Sequence, residues 1–200
     1  MGADIITRSF NDSMKTKERF LTKKNISLIV QFAQETAECF KGGGKLFIIG
    51  NGGSAADAQH LAAEFINRFE IERPPLPALA LTTDTSNITS IGNDYSFDQI
   101  FSKQIKALGK EGDILLAIST SGGSPNILKA VEAAKGMGIR TVALTGKGGG
   151  RLAQETDIVL NVESKTTARI QEVHITVCHI LCELVDHILF QGGLASHPKV

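Results

Sequence analysis

Hydrophobic positions along the chain form long stretches at helical spacing and short continuous runs. From Asn11 to Phe40 apolar residues recur every three or four positions, and three glycines at 42–44 end the stretch, so one or two helices are predicted there. Short apolar runs that end in glycine or hydroxyl residues follow, as expected of strands buried on both faces of a sheet. The predicted strands are Lys45–Gly50, Ala78–Thr82, Asp113–Ile118, Arg140–Leu144 and Asp157–Val162.

Helical patterns separate these strands. The predicted helix starts are Ser54, which with Asp57 resembles a capping box, then Asp84 or Thr85, and Pro125 behind a Ser124 cap. A long helix from Arg169 to Phe190 has more apolar surface than one stripe, which favours burial by a partner subunit. Alternating strands and helices imply right-handed crossovers and a parallel sheet, and therefore an α/β fold.

Composition narrows the class of protein. The 200 residues are sufficient for one domain with its own core, and we expect one domain over residues 1–200: N-terminal helices at about 10–42, an α/β core at about 45–162 and a C-terminal helix at about 166–190. Lys and Arg balance Asp and Glu, which argues against nonspecific nucleic-acid binding. No run approaches the roughly 20 apolar residues of a membrane span. The first ten residues lack a secretory pattern, so a cytoplasmic location is expected.

Three cysteines, Cys39, Cys178 and Cys182, lie in apolar helical surroundings, and we interpret them as core residues. The spacing of Cys178 and Cys182 would also allow a metal site, although a soft metal would need more thiolates.

The clearest candidate for ligand binding follows the third strand. Its four hydroxyls come from Ser119, Thr120, Ser121 and Ser124, and Pro125 then opens a helix. Backbone N–H groups and the positive end of a helix dipole suit a phosphate without Lys or Arg, and this loop has neither. The plainer alternative is a turn with a helix cap.

The loop after the first strand, Gly50–Ala55, satisfies a loose G-x-G-x-x-A pattern. A dinucleotide site would need an acidic residue about 20 positions on, whereas Asp84 follows some 30 positions later. The simpler interpretation is close backbone approach to a small polyhydroxylated ligand at Gly52 and Gly53, with Asn51 supplying hydrogen bonds.

His60 and Glu64 are four residues apart and therefore share one face of the predicted helix, a usual spacing for metal ligands or an acid/base pair. An ion pair on a solvated helix face has the same spacing. His179 is a polar residue in an apolar stretch and needs a partner, whereas His174 fits an interior histidine.

Taken together, these motifs closely resemble the phosphoheptose isomerases, which are members of the sugar isomerase (SIS) fold. The resemblance covers about residues 10–190 and is carried by Gly50–Ser54, His60 with Glu64, Gly92–Asp94, Ile118–Gly122, Leu144–Lys147 and Arg169–His174 followed by His179. It implies a three-layer α/β/α sandwich with a central five-stranded parallel sheet and extra N- and C-terminal helices. It also implies a homotetramer that converts sedoheptulose 7-phosphate to D-glycero-D-manno-heptose 7-phosphate, for ADP- or GDP-heptose synthesis and lipopolysaccharide.

Residue roles follow from the same resemblance. The phosphate would be held by Ser119, Thr120, Ser121 and Ser124. The sugar would be lined by Asn51, Gly52, Gly53, Asn93, Asp94 and Gln171. Glu64 would be the base that moves a proton between C1 and C2, with His179 as its partner acid/base. One zinc ion per subunit would be bound by His60, Glu64, Gln171 and His179.

One geometric condition accompanies this ligand set. Gln171 and His179 are eight residues apart, about 12 Å along a regular helix. Both reach one ion only if Gln171 lies outside regular helix or if the two residues come from different chains.

A rival from another functional class shares the fold. The sequence is also similar to a noncatalytic tetramer that binds the replication initiator DnaA, at Asn67–Glu70, Glu72–Pro74 and Leu181–Cys182. In that regulator the positions of Glu64 and His179 carry residues unable to act as base and acid, whereas both are intact here, which favours the enzyme. A sugar-phosphate-sensing regulator would normally bring a DNA-binding module, and none is evident. Ala168 departs from the acidic residue found at this position in some members of the enzyme family.

Overall fold

The computed structural model describes residues 1–192, so the last eight residues of the predicted domain lie outside the described part. Its sheet has five parallel strands in the order β2-β1-β3-β4-β5. The strands are β1 Leu46–Gly50, β2 Ala78–Ala80, β3 Ile114–Ser119, β4 Arg140–Gly146 and β5 Ile158–Val162. The predicted α/β class with a five-stranded parallel sheet is confirmed.

Two helices precede the sheet and the others connect or follow its strands. The α-helices are α1 Gly2–Phe20, α2 Lys23–Lys41, α3 Gly53–Ile66, α4 Thr85–Asp94, α5 Ile100–Leu108, α6 Pro125–Gly136, α7 Leu152–Glu155 and α8 Thr167–Phe190, with a short 3-10 turn at Phe97–Gln99. The N-terminal stretch is therefore two helices, and α1 begins at Gly2 rather than near residue 10.

Alternate residues of each central strand enter two separate cores. Leu46 and Ile48 of β1 pack with the layer of α2, α3 and α8, whereas Phe47 and Ile49 pack with α5 and α6. Both faces of the sheet are thus covered by helices, which is why the strands are continuous apolar runs rather than alternating ones. The three-layer arrangement predicted from the resemblance is confirmed.

The predicted capping box at Ser54 is wrong. Gly52 occupies the N-cap position of α3 with φ +57°, and Ser54 is buried inside the helix. The physical reason is close helix–strand packing: a Cβ on Gly50 would lie 2.4 Å from the Ser54 carbonyl oxygen. The other predicted caps are mixed, since the Asp84 side chain accepts from Asn87 N while Ser124 occupies an N-cap position without a capping bond. Strand β2 is also two residues shorter than predicted and ends at Ala80.

Helix α8 is long and apolar. Over its best 18-residue window the mean hydropathy is 1.6, so by length and composition it is the one helix within residues 1–192 that would be able to cross a membrane. In the structure α8 packs against α1, α2, α3 and β4, and its polar His174 and Asp186 are buried against partners in the same chain. These contacts are those of a core helix.

Candidate functional site

The carboxyl ends of β1 and β3 lie side by side where the strand order reverses, and a pair of amides joins the loops that follow them. Asn51 Nδ2 donates to Asn126 Oδ1 at 2.9 Å, and Asn126 Nδ2 donates to Asn51 Oδ1 at 2.8 Å. Asn126 is buried in the first turn of α6, where its oxygen also accepts from Ile127 N. Ligands of doubly wound sheets bind at such a switch point. The sequence prediction missed Asn126, although its position just behind the hydroxyl-rich loop was a usable signal.

The hydroxyl-rich loop after β3 is ordered by its own side chains. Ser119 Oγ accepts from Gly122 N at 3.2 Å and lies 3.4 Å from Ser124 Oγ, while Ser121 Oγ accepts from Gly123 N at 3.4 Å. Ser119 is buried, whereas Ser121 is exposed at the N-terminus of α6. We refer to residues 119–124 as the hydroxyl loop. Its exposed hydroxyls, backbone and helix terminus are the elements of an anion site.

The glycine-rich segment after β4 packs against the hydroxyl loop. Gly122 has φ +63°, and a Cβ built on it would lie 1.9 Å from the carbonyl oxygen of Gly149. The Gly122 carbonyl in turn accepts from Leu152 N at 2.9 Å. The two loops therefore pack backbone against backbone, which only glycine permits at these positions.

The loop that follows β1, which we call the β1 loop, contacts α8 through Gln171. A Cβ on Gly53 would lie 2.5 Å from Gln171 Nε2, so the glycine leaves room for this amide at the start of α3. The structure thus brings together four of the predicted sugar-binding residues: Asn51, Gly52, Gly53 and Gln171.

His60, Glu64 and His179 come together further along the same helix pair. His60 Nε2 lies 2.8 Å from His179 Nε2 and 3.5 Å from Glu64 Oε1. His60 and Glu64 share a face of α3, and His179 faces them from α8. The ring of Phe69 stacks on His179 with ring centroids 5.7 Å apart. We call His60, Glu64 and His179 the histidine cluster. Phe69 was not anticipated, because nothing local to its sequence links it to a residue of α8.

Within one chain, two of the predicted groups are not in contact with the β1 loop: the histidine cluster, and the pair Asn93 and Asp94. His60 follows Gly53 by seven positions on α3, about 10 Å along a regular helix, so the histidine cluster is distant from the β1 loop. Asn93 and Asp94 are exposed at the end of α4 and hydrogen-bond to each other. Within residues 1–192 neither side chain forms a hydrogen bond with the β1 loop or the hydroxyl loop.

Two groups near these elements, the half-buried Asp57 and the buried His174, have shifted pKa values. Burial raises the pKa of Asp57, on α3 one turn before His60, while the nearby His60 lowers it in part. Its Oδ2 atom has no hydrogen-bond partner among the described residues. Burial lowers the pKa of His174 to about 4, against a smaller raising effect of the Thr145 carbonyl. His174 Nε2 lies 3.0 Å from that carbonyl oxygen, so His174 is an interior residue that anchors the end of β4.

The histidine cluster fits zinc by donor type, since imidazole nitrogen and carboxylate oxygen are common zinc ligands. Gln171 lies in regular helix, and its amide is beside Gly53 at the start of α3. Within residues 1–192, no group of three or more His, Cys, Asp and Glu side chains is arranged to hold a metal ion, so the histidine cluster matches zinc in donor type and not in geometry. Cys178 and Cys182 are free and buried.

The chain is similar to several known proteins. The model of the SIS domain family matches residues 9–146. The phosphoheptose isomerase of Nitratidesulfovibrio vulgaris strain Hildenborough is 60% identical over 174 residues, which are 87% of this chain and 84% of that protein. A solved phosphoheptose isomerase from Francisella tularensis has 45% identity and a TM-score of 0.90 over 94% of this chain and 99% of that one. The Neisseria gonorrhoeae enzyme gives 44% identity and a TM-score of 0.87, covering 93% of this chain and 99% of that one.

Proposed function

The chain belongs to the phosphoheptose isomerases of the SIS-domain family, and we propose that it interconverts sedoheptulose 7-phosphate and D-glycero-D-manno-heptose 7-phosphate. The observation that carries the assignment of roles is the histidine cluster, in which His60 lies 3.5 Å from Glu64 and 2.8 Å from His179. The product class supplies ADP- or GDP-heptose synthesis for lipopolysaccharide, and we expect the enzyme to act in the cytoplasm on this charged substrate.

Glu64 is the proposed base. Its carboxylate removes a proton from C1 of the ketose, which gives an enediol, and then delivers a proton to C2. While it is on the carboxylate, the abstracted proton can exchange with solvent. His179 protonates the oxygen on C2 and accepts a proton from the oxygen on C1, so protons and electrons balance over the cycle. Glu64 is half-buried, with its side chain 24% exposed, so that it can meet substrate without being fully solvated.

The hydroxyl loop is the proposed phosphate site. Ser119, Thr120, Ser121 and Ser124 offer hydroxyl donors, and the start of α6 adds a favourable dipole. The sugar would lie along Asn51, Gly52, Gly53 and Gln171, with Asn93 and Asp94 contributing from the end of α4. Binding the phosphate at a fixed loop orients C1 and C2 for proton transfer.

We propose that zinc is held by His60, Glu64 and His179, with Gln171 as the fourth ligand from a second chain of a homotetramer. The support is the donor types of the cluster and the placement of Gln171 away from it in its own chain. When bound, the ion supplies a Lewis acid that polarises the substrate carbonyl.

The alternative of a noncatalytic tetramer that binds the replication initiator is not favoured. The chain retains both Glu64 and His179, and the relatives compared above are named as isomerases.

Proton exchange tests the proposal directly. Sedoheptulose 7-phosphate is incubated with the protein in deuterated water, and exchange at C1 and heptose formation are followed by NMR. Glu64→Gln is expected to lose both by about 10²–10⁴-fold, because amide cannot accept the C1 proton. Glu132→Gln, the same change at an exposed site on α6, serves as the control and is expected to be fully active. Full turnover in folded Glu64→Gln would exclude Glu64 as the base, and no exchange in the wild type with added zinc would exclude the isomerase.

A further inference from the structure

Arg73 lies in the segment between α3 and β2 and is buried against α8. Its Nε donates to Asp186 Oδ1 at 2.8 Å, and the two side chains are only 1% and 5% exposed. Arg68 and Glu72, in the same segment, form an exposed pair instead. A buried ion pair is costly unless its remaining donors are satisfied, so the other contacts of Arg73 are informative.

Apart from a bond to the Pro74 carbonyl oxygen, those contacts are with the end of α3. Arg73 Nη2 donates to the Glu64 carbonyl oxygen at 2.9 Å, and Nη1 donates to the Phe65 carbonyl oxygen at 2.6 Å. No N–H group within a helix donates to its last carbonyl oxygens, so these oxygens need donors from elsewhere. The last turn of α3 holds no basic residue of its own. Arg73 therefore acts as the C-terminal cap of α3 while its Nε holds α8.

The contacts of Arg73 with α3 and α8 affect the position of all three residues of the histidine cluster. The backbone of Glu64 is bound by Arg73, and His60 lies one turn earlier on the same helix. On α8, His179 precedes Asp186 by seven residues, which places the two on one face two turns apart. Phe69 belongs to the segment that Arg73 closes, and it stacks on His179.

We propose that Arg73, paired with Asp186, is a positioning residue for the isomerase reaction: it fixes the α3 helix end with Glu64, and the Phe69 ring, against His179 of α8. The inference rests on the proposed roles of Glu64 and His179. Arg73 itself touches none of the atoms that react.

The chemistry of the pair explains why arginine is needed. A guanidinium presents a planar set of donors that can meet a carboxylate and several carbonyls at once, whereas a lysine ammonium cannot span them. Burial raises the pKa of Asp186, and the hydrogen bond and charge of Arg73 lower it. Asp186 Oδ2 has no hydrogen-bond partner among the described residues, so the bond from Arg73 Nε to Oδ1 is what directs this carboxylate.

The first test is kinetic and uses Arg73→Lys in the full chain. We expect kcat for sedoheptulose 7-phosphate to fall by about 10²-fold, because a displacement near 1 Å has that effect on reacting groups. KM is expected to stay within about threefold, since the hydroxyl loop is not touched by Arg73. The matched control is Arg140→Lys, which breaks a two-point contact with Glu35 at the start of β4 and is expected to leave both constants unchanged.

The second test is spectroscopic and separates positioning from stability. In protein labelled with carbon-13 at histidine, the Hε1 resonance of His179 is expected to be shifted upfield by the Phe69 ring. Arg73→Lys and Phe69→Leu are expected to move this resonance downfield alike, whereas Phe69→Tyr restores both the shift and kcat. His179→Gln identifies the resonance.

If Arg73→Lys does not fold, the double variant Arg73→Met/Asp186→Leu takes its place, because it removes both buried charges together. A wild-type kcat with an unmoved His179 resonance in either variant would overturn the positioning role. The wild type and Glu64→Gln are measured in parallel. A wild type without turnover would mean that the proposed function fails, and an active Glu64→Gln would remove Glu64 as the base. An inactive Glu64→Gln beside a fully active Arg73→Lys would remove the positioning role alone.

Discussion

His174 ties the end of β4 to α8 as a neutral imidazole, and this makes its protonation a measurable part of stability. Its pKa is lowered by burial to about 4, from an ordinary value of 6.5. Between these pH values the unfolded chain binds this proton and the folded protein does not, so stability falls as the pH falls. The contribution lost is about 3 kcal/mol at about 1.4 kcal/mol per unit.

The prediction is tested with His174→Gln, whose amide nitrogen can still donate to the Thr145 carbonyl. Urea unfolding at fixed protein concentration is measured from pH 7.5 down to pH 5. The wild type is expected to lose stability on going below pH 6.5 more steeply than the variant. Equal slopes for the two proteins would show that His174 is not the group responsible.

The pairing of His60 with Glu64 was predicted from local spacing, whereas three residues whose contacts are with distant parts of the chain were not predicted. His60 and Glu64 were paired from their separation of four residues, and the structure has them 3.5 Å apart. Asn126, Phe69 and Arg73 were missed, because each acts through an atom far away in the chain. Asn126 and Asn51, for example, are separated by 75 positions.

At the scale of elements, the contact between the hydroxyl loop and the glycine-rich segment after β4 leads to a specific expectation. Gly122→Ala would place a methyl group 1.9 Å from the Gly149 carbonyl oxygen at a φ of +63°. We expect a loss of about 1–3 kcal/mol in unfolding free energy and a roughly tenfold rise in KM, because the loop must move. Steady-state kinetics and thermal unfolding measure the two effects.

Gly43→Ala is the control for backbone strain alone. Gly43 has a similar φ of +72°, but a Cβ there meets nothing within 4 Å. The variant is expected to lose about 1 kcal/mol of stability with an unchanged KM. A KM unaffected by Gly122→Ala would argue against phosphate binding at the hydroxyl loop.

Strand positions were predicted well because strands covered on both faces have a continuous apolar signal that needs no partner to be seen. Helix starts were predicted less well. Ser54 has the composition of a cap, yet the chain needs its small side chain to pack against Gly50, and Gly52 begins the helix instead. Packing between elements overrode a local preference.

At the scale of the molecule, the position of Gln171 makes assembly testable. In one chain Gln171 lies beside Gly53, about 12 Å along α8 from His179. On α1, Ile6 and Phe10 are 61% and 68% exposed, which is unusual for large apolar side chains and favours contact with further copies. The proposed homotetramer would bring Gln171 of one chain to the histidine cluster of another.

Subunit mixing checks this arrangement. Glu64→Gln and Gln171→Ala chains are each expected to be inactive alone, and mixed oligomers are expected to recover activity, because some sites combine an intact Glu64 with an intact Gln171 from different chains. Light scattering verifies that the mass is about four times 21.4 kDa. Mixed tetramers without activity would show that both residues serve the same chain's site.

The class of fold, its strands, the hydroxyl loop and the spacing of His60 with Glu64 all follow from the order of residues, since periodicity and glycine placement are properties of neighbouring positions. Which residues meet across the molecule was decided by the tertiary structure. His60 contacts His179 across 119 positions, and Arg73 contacts Asp186 across 113. Such pairs form only when α3 and α8 pack on the same face of the sheet, and the free energy of that packing is distributed over the whole core rather than encoded at either residue.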